Sequence, residues 1–176
     1  MVSWEHNYKP GLFRIISGVM TSYSKLDQLR PDLILLGNIR IIRPSIFSLA
    51  RHGCINVHPG ILPQIKGAFP QVWSILKDEM LGCTCHFVDK DVDAGNIILK
   101  KYIDYVPRES LEDIIAKSAK LSAILMSEVV CEFLRTGKIN SKVMEKKGRY
   151  YAIPSQEKIL VAKEKLQKRL YRPRET

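Results

Sequence analysis

The chain has 176 residues, of which 45% are hydrophobic and 26% charged, and its formal net charge is +10. This composition is typical of one soluble globular domain and excludes a disordered chain, which would hold far fewer apolar residues. No apolar run approaches the roughly 20 residues of a membrane span, and the N-terminal residues lack the apolar stretch of a secretory signal. We therefore expect a cytoplasmic protein that makes no use of a membrane.

The positive charge is concentrated towards the C-terminus. Residues 1–137 contain sixteen Lys and Arg against fourteen Asp and Glu, a net charge of +2. Residues 138–176 contain twelve against four, a net charge of +8. A basic segment of this kind is compatible with a nucleic acid, an acidic partner or only a solvated surface.

Four cysteines are present, at positions 54, 83, 85 and 131. They form no C-x-x-C pair and show no Cys/His spacing typical of a zinc site. We predict that Cys54, Cys83, Cys85 and Cys131 are buried thiols rather than disulfides or metal ligands.

The first part of the chain predicts alternating strands and helices. Residues 12–16 form either a short strand or the start of a helix, and residues 24–29 are typical of a helix end. The apolar run 33–37 ends at a glycine, which indicates a strand buried on both faces.

A βαβ unit follows from the next residues. Pro44 suits the first turn of a helix that ends at Gly53, and residues 54–58 have the composition of the next strand. A strand, a short helix and a second strand predict a right-handed connection between two parallel strands.

Asn56 and His58 are the first candidate functional residues. They stand two apart in the predicted strand, so their side chains share one face of the sheet. Pro59 and Gly60 end the strand at once, and the carboxyl ends of strands are where open α/β sheets bind ligands. Taken alone, the pair favours a turn whose polar groups are satisfied internally.

The middle of the chain predicts a helix and two further strands. Residues 70–76 have a helical arrangement of apolar positions, whereas residues 82–88 alternate as a strand does. An acidic loop at 89–95 separates this strand from another at 96–105, which indicates an antiparallel pair.

A long helix and a basic strand–helix segment complete the chain. Ser110 and Asp113 have the spacing of a capping box, and Gly137 suits the C-terminal end of the helix. The helical stripe predicted to be buried contains Ile114, Ile115, Leu121, Leu125, Val129 and Phe133, with Met126 and Cys131 as packing residues. Residues 150–153 are a strand candidate, and a charged helix is expected from Pro154 to about residue 170.

Asp93 is the third candidate functional residue. Its loop, Asp-Lys-Asp-Val-Asp-Ala-Gly, is compatible with a solvated turn, with a metal site, or with one functional carboxylate among solubilising ones. The loop begins like a calcium loop but lacks the downstream bidentate glutamate. We therefore expect no metal.

Two motifs together give the chain a family resemblance. The first is Asn-x-His-Pro-Gly-x-Leu-Pro followed by Gly-x-x-Pro, and the second is His-Phe-Val-x-x-x-Val-Asp-x-Gly-x-Ile. They are carried by Asn56, His58, Pro59, Gly60, Leu62, Pro63, Gly67 and Pro70, then by His86, Phe87, Val88, Val92, Asp93, Gly95 and Ile97. Over residues 25–137 the chain resembles the folate-dependent formyltransferase family, which contains glycinamide ribonucleotide, methionyl-tRNA and sugar N-formyltransferases.

The resemblance implies a Rossmann-like α/β fold with a partly parallel sheet flanked by helices. It implies residues 1–137 as a formyltransferase-like catalytic domain and 138–176 as a basic strand–helix extension. It also implies 10-formyltetrahydrofolate as formyl donor, with its pterin bound by the backbone around Arg40, Ile41, Ile42, Val88 and Asp91.

The same resemblance implies that Asn56, His58 and Asp93 are the catalytic residues. An amine attacks the formyl carbon, and the oxygen that gains negative charge needs preorganised donors. Asn56 would donate from its amide and His58 from its imidazolium. Asp93 would keep His58 charged and help to accept the proton lost by the amine, directly or through water.

The chain departs from the family pattern at both ends. It has only about 30 residues before the Pro31-Asp32-Leu33 segment and lacks the Gly-rich loop there, so we expect a fold without part of the usual N-terminal half. An exposed strand edge would result, which either residues 1–23 or a second copy in a homodimer must cover. Residues 138–176 are too few for the β-barrel domain of methionyl-tRNA formyltransferases.

Three functions remain open from the sequence. The run 67–73 favours formylation of a primary amine on a small molecule, for example an amino sugar. Methionyl-tRNA is the alternative acceptor, with the basic extension contacting phosphates. A non-catalytic relative that binds folate or a protein partner is the third.

Overall fold

The computed structural model describes residues 15–17, 23–37, 42–144 and 148–174. In chain order the elements are β1 (Ile15–Ser17), α1 (Tyr23–Leu29), β2 (Leu33–Leu36), α2 (Pro44–Phe47), β3 (Cys54–His58), β4 (Ile65–Gly67), α3 (Pro70–Lys77), β5 (Gly82–Phe87), β6 (Ile97–Tyr102), α4 (Leu111–Thr136), β7 (Arg149–Tyr151) and α5 (Gln156–Gln167). The predicted strands at 33–37, 54–58, 82–88 and 96–105 are therefore confirmed, apart from a few terminal residues.

The main sheet has five strands in the order β1-β2-β3-β5-β6. β1, β2 and β3 run parallel, whereas β5 and β6 are antiparallel to their neighbours. The parallel β2–α2–β3 unit and the antiparallel β5–β6 pair were both predicted and are confirmed, but the helix was predicted too long, since α2 ends at Phe47 and not at Gly53. The fold is a Rossmann-like α/β arrangement in which helices flank a partly parallel sheet.

The edge of the parallel half is formed by β1. Its residues Ile15–Ser17 pair with residues 33–35 of β2. Of the two expected ways to cover β2, the N-terminal residues provide the first, and the homodimer stays a prediction. The other residues of the segment 1–23, apart from Tyr23, lie outside the described part of the chain.

Two apolar clusters cover the opposite faces of the main sheet. On one face α4 packs Leu125, Val129 and Phe133 against Leu33 and Ile55 of the parallel strands. On the other face a smaller cluster joins Ile34 and Cys54 to the α2 region. Burial on both faces explains why β2 is a continuous apolar run, whereas β3 is interrupted by Asn56 and His58.

The ends of α4 form as expected. The Ser110 side chain accepts a hydrogen bond from the Asp113 amide, and the Asp113 carboxylate accepts one from the Ser110 amide, so the capping box is complete. Gly137 ends the helix with a left-handed φ of 68°. The prediction of a buried stripe was wrong for Ile115, which is 41% exposed.

The cysteine prediction is confirmed at three positions and wrong at Cys131. Cys54, Cys83 and Cys85 are free and buried in the sheet, whereas Cys131 is free and exposed. Cys131 lies two residues beyond Val129 on α4, a turn of about 200° that points it away from the sheet. Burial raises the pKa of Cys54 and of Cys85 to about 12.

The C-terminal segment packs on the rest of the protein through a second small sheet and a helix. β7 pairs in parallel with β4, matching Arg149 with Ile65 and Tyr151 with Gly67. α5 lies against α3, and Ala162, Leu166 and Tyr171 belong to the same apolar cluster as Val72 and Ile75. The strand and helix expected in the segment 138–176 are thus both present.

Candidate functional site

The site lies at the carboxyl end of β3, where Asn56 and His58 point to one face of the sheet. β5 runs antiparallel beside this strand and places His86 opposite Asn56 and Thr84 opposite His58. All four side chains are buried, with His58 and His86 each only 2% exposed. The shared face predicted for Asn56 and His58 is confirmed, since both line the same cavity.

His58 contacts a protein oxygen at each ring nitrogen. Its Nε2 lies 2.9 Å from the Ile65 carbonyl oxygen, which can only accept, so Nε2 carries a hydrogen. Its Nδ1 lies 3.4 Å from Oδ2 of Asp93. A proton on Nδ1 therefore converts the contact with Asp93 into an ion pair.

Opposing influences act on the protonation of His58. Burial is the largest and lowers the pKa of the imidazole, while the Asp93 carboxylate and the Ile65 carbonyl raise it. The net direction is downward, so the ring binds a proton less readily than an exposed histidine does. Together His58 and Asp93 form a buried pair that can accept one proton without leaving an isolated charge.

Asp93 is held between the two histidines. Its Oδ2 accepts a hydrogen bond of 2.8 Å from the Gly67 amide, and its Oδ1 lies 3.6 Å from Nε2 of His86. The Asp93 backbone is left-handed, with φ of 50°. Aspartate tolerates this conformation better than most residues do, and here the tight turn aims the carboxylate inward.

Asn56 contacts His86, a residue that the sequence placed in the motif but not in the site. Nδ1 of His86 donates to the Phe87 carbonyl at 2.8 Å, so in the neutral ring Nε2 is an acceptor. Nδ2 of Asn56 lies 3.5 Å from that Nε2. Oδ1 of Asn56 is buried and has no hydrogen-bond partner among the described residues, so it can accept a hydrogen bond from a group that enters the cavity.

Thr84 is a second contributor that the sequence did not identify. Its hydroxyl donates to the Gly60 carbonyl at 2.8 Å and accepts from the Leu62 amide at 3.1 Å. These bonds tie the loop after β3 to the sheet and so fix the segment that leads to the Ile65 carbonyl. Strand alternation in residues 82–88 was the available signal, since Thr84 and His86 share one face of β5.

A cavity of about 440 Å³ opens from these side chains. Of the residues expected to bind folate, Ile42, Val88 and Asp91 line this cavity, whereas Arg40 and Ile41 lie outside the described residues. The cavity also contacts Tyr150 and Ile153 of the C-terminal segment, which the sequence did not indicate. Its volume is within the usual range for small-molecule sites.

A second cavity, of about 430 Å³, lies between the sheet and α4. It is lined by Val57 and Pro59, the neighbours of the two site residues of β3, and by apolar side chains of α4 such as Met126. Leu36, at the end of β2, borders both cavities. Two openings therefore approach the end of β3 from the two faces of the sheet.

The described residues contain neither a metal-binding cluster nor a membrane-spanning helix. Within the described ranges, no group of three or more His, Cys, Asp and Glu side chains is placed to hold a metal ion. None of the helices in the described part of the chain is both long and apolar enough to cross a membrane.

The fold is that of a Rossmann-like α/β protein, with a cluster of buried polar side chains at the end of β3. Solved structures of similar shape share this architecture. The formyltransferase PseJ of Anoxybacillus kamchatkensis, solved in complex with UDP-4,6-dideoxy-4-formamido-L-AltNAc and tetrahydrofolate, has a TM-score of 0.68 and 25% identity, over 84% of this chain and 89% of that chain.

Relatives in sequence include methionyl-tRNA formyltransferases. That of Chlorobium chlorochromatii is 36% identical over 107 residues, which is 60% of this chain and 33% of the relative. That of Thermotoga maritima is 34% identical over 130 residues, 72% of this chain and 41% of the relative. The matched region thus spans about a third to two fifths of these relatives.

The family model described as formyl transferase matches residues 20–130. This match covers well over half of the chain and contains both site motifs. The chain belongs to the formyl transferase family.

Proposed function

We propose that the protein transfers a formyl group from 10-formyltetrahydrofolate to a primary amine of a small molecule, an amino sugar being the favoured class. The observation that supports this most is the convergence of Asn56, His58 and Asp93 in one buried cavity. They come from the end of one strand, β3, and from the loop before β6, and no structural need of the sheet requires three polar groups there.

The larger cavity, of about 440 Å³ and lined by Asn56 and His58, is suited to the folate donor. Leu36, Ile42 and Val88 offer apolar surfaces to a flat ring, and the backbone of residues 88–91 offers hydrogen-bonding groups at its edge. The buried, unpartnered Oδ1 of Asn56 indicates that a polar ligand group belongs beside it. Ile42, Val88 and Asp91, with Arg40 and Ile41, are the residues we propose for pterin binding.

The bound donor supplies an electrophilic formyl carbon and, at N10, the nitrogen from which that carbon departs. Asn56 has two N–H groups on Nδ2, of which one faces His86. We assign the other to the formyl oxygen, where negative charge grows as the amine attacks. His86 would then hold the amide plane of Asn56 in place.

His58 and Asp93 would receive the proton that the attacking amine must lose and return it to N10 as the bond between N10 and the formyl carbon breaks, so that tetrahydrofolate leaves with one N–H at N10. Because both ring nitrogens of His58 already face protein oxygens, direct donation to the formyl oxygen would require the ring to leave Ile65 or Asp93. The contacts therefore support Asn56 as the oxyanion donor and the His58–Asp93 pair as the proton acceptor. A charged His58 would also stabilise the nearby negative oxygen through space.

The second cavity is the proposed entrance for the acceptor. Its lining of Val57, Pro59, Ile115 and Met126 suits an acceptor that carries methyl or methylene groups beside its amine. PseJ, whose complex contains a formylated dideoxy sugar nucleotide, is matched over 89% of its length. This full-length likeness supports a sugar acceptor more than the partial likeness to methionyl-tRNA formyltransferases supports tRNA.

The test is direct. The protein is incubated with 10-formyltetrahydrofolate and a panel of amino sugar nucleotides and other amines, and release of tetrahydrofolate is followed with time. Asn56→Ala, His58→Ala and Asp93→Ala should each nearly abolish release, while Tyr102→Ala, a half-exposed residue outside both cavities, should not. Near wild-type turnover in any of the three would remove that residue from the mechanism.

Methionyl-tRNA is the second candidate acceptor, favoured by the sequence relatives. The net charge of +8 in residues 138–176 would then contact phosphates. However, Lys163, Lys165 and Lys168 of this segment form ion pairs with Glu112, Asp78 and Glu164. A tRNA complex that weakens steeply with added salt would support this acceptor, and an absent or salt-insensitive complex would exclude it.

A further inference from the structure

The C-terminal strand forms part of the wall of the larger cavity. Tyr150 and Ile153 line it together with Asn56 and His58, although almost a hundred residues separate them in the chain. They are 56% and 74% exposed. Two large apolar side chains thus face the opening of the cavity without being covered by protein.

The strand is fixed in this position by its neighbours. The Ala68 amide donates to the Tyr151 carbonyl at 3.0 Å, and Trp73 Nε1 donates to the Ala152 carbonyl at 3.0 Å. The rings of Trp73 and Tyr151 stack with their centroids 4.8 Å apart. Because Tyr151 faces Trp73, strand alternation turns Tyr150 to the other side, towards the cavity.

The same strand touches the segment that orients the polar site. β7 pairs with β4, whose Ile65 carbonyl accepts from His58 and whose Gly67 amide donates to Asp93. The Tyr150 ring lies near Gly67, since a Cβ added there would be 3.1 Å from Tyr150 Cε2. Tyr150 therefore lies beside Gly67, whose amide holds the Asp93 carboxylate.

The shape of the proposed donor decides what this wall can bind. In 10-formyltetrahydrofolate the formyl-bearing N10 lies between the pterin and the p-aminobenzoyl ring. If the pterin occupies the side formed by Ile42 and Val88, and the formyl group lies at Asn56, the benzoyl ring must leave along the remaining wall. Besides the exposed loop residues 89–92, that wall contains Gly67, Ala68, Tyr150 and Ile153, of which Tyr150 alone carries an aromatic ring.

We propose that Tyr150 and Ile153 form the subsite for the p-aminobenzoyl ring of the folate donor, with the Tyr150 ring as its aromatic face. This inference rests on the proposed function, since it assumes a folate donor. A stacked aromatic contact in a partly desolvated site contributes appreciably to affinity. The C-terminal segment is then part of donor binding rather than only a solvated or phosphate-binding extension.

The experiment measures binding rather than turnover. Tetrahydrofolate and 6-methyltetrahydropterin, which lacks the p-aminobenzoyl-glutamate part, are titrated anaerobically into the wild-type protein and variants by calorimetry. Tyr150→Ala should weaken tetrahydrofolate about tenfold, equivalent to about 1.4 kcal/mol, and leave the pterin within about twofold. Tyr150→Phe should bind both ligands as the wild type does, because the ring rather than the hydroxyl makes the contact.

Tyr102→Ala serves as the matched control, since Tyr102 is a tyrosine of similar exposure, 46%, at the end of β6 and outside the cavity. It should leave both affinities unchanged. Unchanged tetrahydrofolate binding in Tyr150→Ala, or an equal loss for both ligands, would overturn the subsite while leaving the folate donor in place. Failure of the wild-type protein to bind tetrahydrofolate would overturn the donor and the subsite together.

Discussion

Asp93 Oδ2 lies 3.4 Å from His58 Nδ1, with side-chain exposures of only 10% and 3% for the two residues. The contact is nearly removed from water, so its energy depends strongly on which of the two groups holds a proton. Since the other ring nitrogen of His58 is committed to the Ile65 carbonyl, a proton arriving at the pair has one place on the ring to bind. The pair is thus built to take up a proton at a defined atom.

Asp93→Asn tests this pairing. The substitution keeps an oxygen that can accept from the Gly67 amide but removes the charge that raises the pKa of His58. We expect the His58 pKa to fall further and formyl transfer to drop by about 10² to 10⁴, the usual effect of losing a general base. The checks are steady-state kinetics and a titration of the His58 ring by NMR.

Asp104→Asn is a control for Asp93→Asn, because Asp104 is exposed and lies outside both cavities. It should leave the His58 titration unchanged. An Asp93→Asn protein with wild-type turnover and an unshifted His58 would contradict the proton-acceptor assignment.

The two buried histidines predict how stability changes with pH. Burial is the largest influence on both and lowers the pKa of His58 and of His86 in the folded protein. Between these lowered pKa values and about 6.5, the unfolded chain binds more protons than the folded one. As far as the two histidines decide it, the free energy of unfolding should therefore be nearly constant between about pH 7 and about pH 8 and decrease as the pH falls below about 6.5.

Chemical unfolding between about pH 7.5 and about pH 5 measures this dependence above the range in which most carboxylates titrate. Each histidine contributes a slope of up to about 1.4 kcal/mol per pH unit. His86→Gln should reduce the slope by the share of one histidine. A flat profile in the wild-type protein would show that the two rings are not buried in the neutral form.

We predict that the hydroxyl of Thr84 supports activity by holding the loop after β3 in place. Thr84→Val leaves the Gly60 carbonyl and the Leu62 amide without the hydroxyl that joins them. Leaving such buried groups unsatisfied costs about 1–3 kcal/mol each, so the variant should be less stable and, because the Ile65 segment shifts, less active. Thr84→Ser retains the hydroxyl and should keep most of the stability, measured by urea unfolding, and most of the activity, measured by turnover. Equal losses of activity in Thr84→Val and Thr84→Ser would contradict the role of the hydroxyl.

Much of the fold could be predicted because its signals are local. β2 and β3 are short apolar runs that end at glycine or proline, and the Ser110–Asp113 cap marks the start of α4. The shared face of Asn56 and His58 follows from strand geometry alone. Their proximity to Asp93 was implied only by the family resemblance, because the left-handed turn that aims Asp93 inward has no clear local signal.

The parts that were missed depend on pairing between distant segments. His86 joins Asn56 because β5 is antiparallel to β3 in one register, and a shift of one residue would have turned it to the other face. Tyr150 reaches the cavity because the three-residue strand β7 pairs with β4, which lies more than eighty residues earlier in the chain. Likewise, the exposure of Cys131 depends on which face of α4 meets the sheet.

Cys131 gives a simple test of that helix orientation. A thiol reagent should modify Cys131 rapidly in the folded protein, while Cys54, Cys83 and Cys85 react only on unfolding, since they are buried and burial raises the pKa of each thiol. Cys131→Ser should abolish the fast reaction and leave stability nearly unchanged. If two or more thiols react fast in the folded wild-type protein, the described burial of the cysteines and the orientation of α4 are wrong.

Gly67 links the C-terminal strand to the polar site, and Gly67→Ala tests that link. Its φ is +99°, and an added Cβ would lie 2.1 Å from the Tyr151 carbonyl oxygen, a backbone atom that can yield only if β7 moves. The variant should lose about 2 kcal/mol or more through strain and lost pairing, together with the amide contact that holds Asp93. Gly37→Ala is the control for stability, because nothing lies within 4 Å of its added Cβ. If Gly67→Ala unfolds at the same urea concentration as Gly37→Ala and still transfers formyl groups, β7 is not needed to position Asp93.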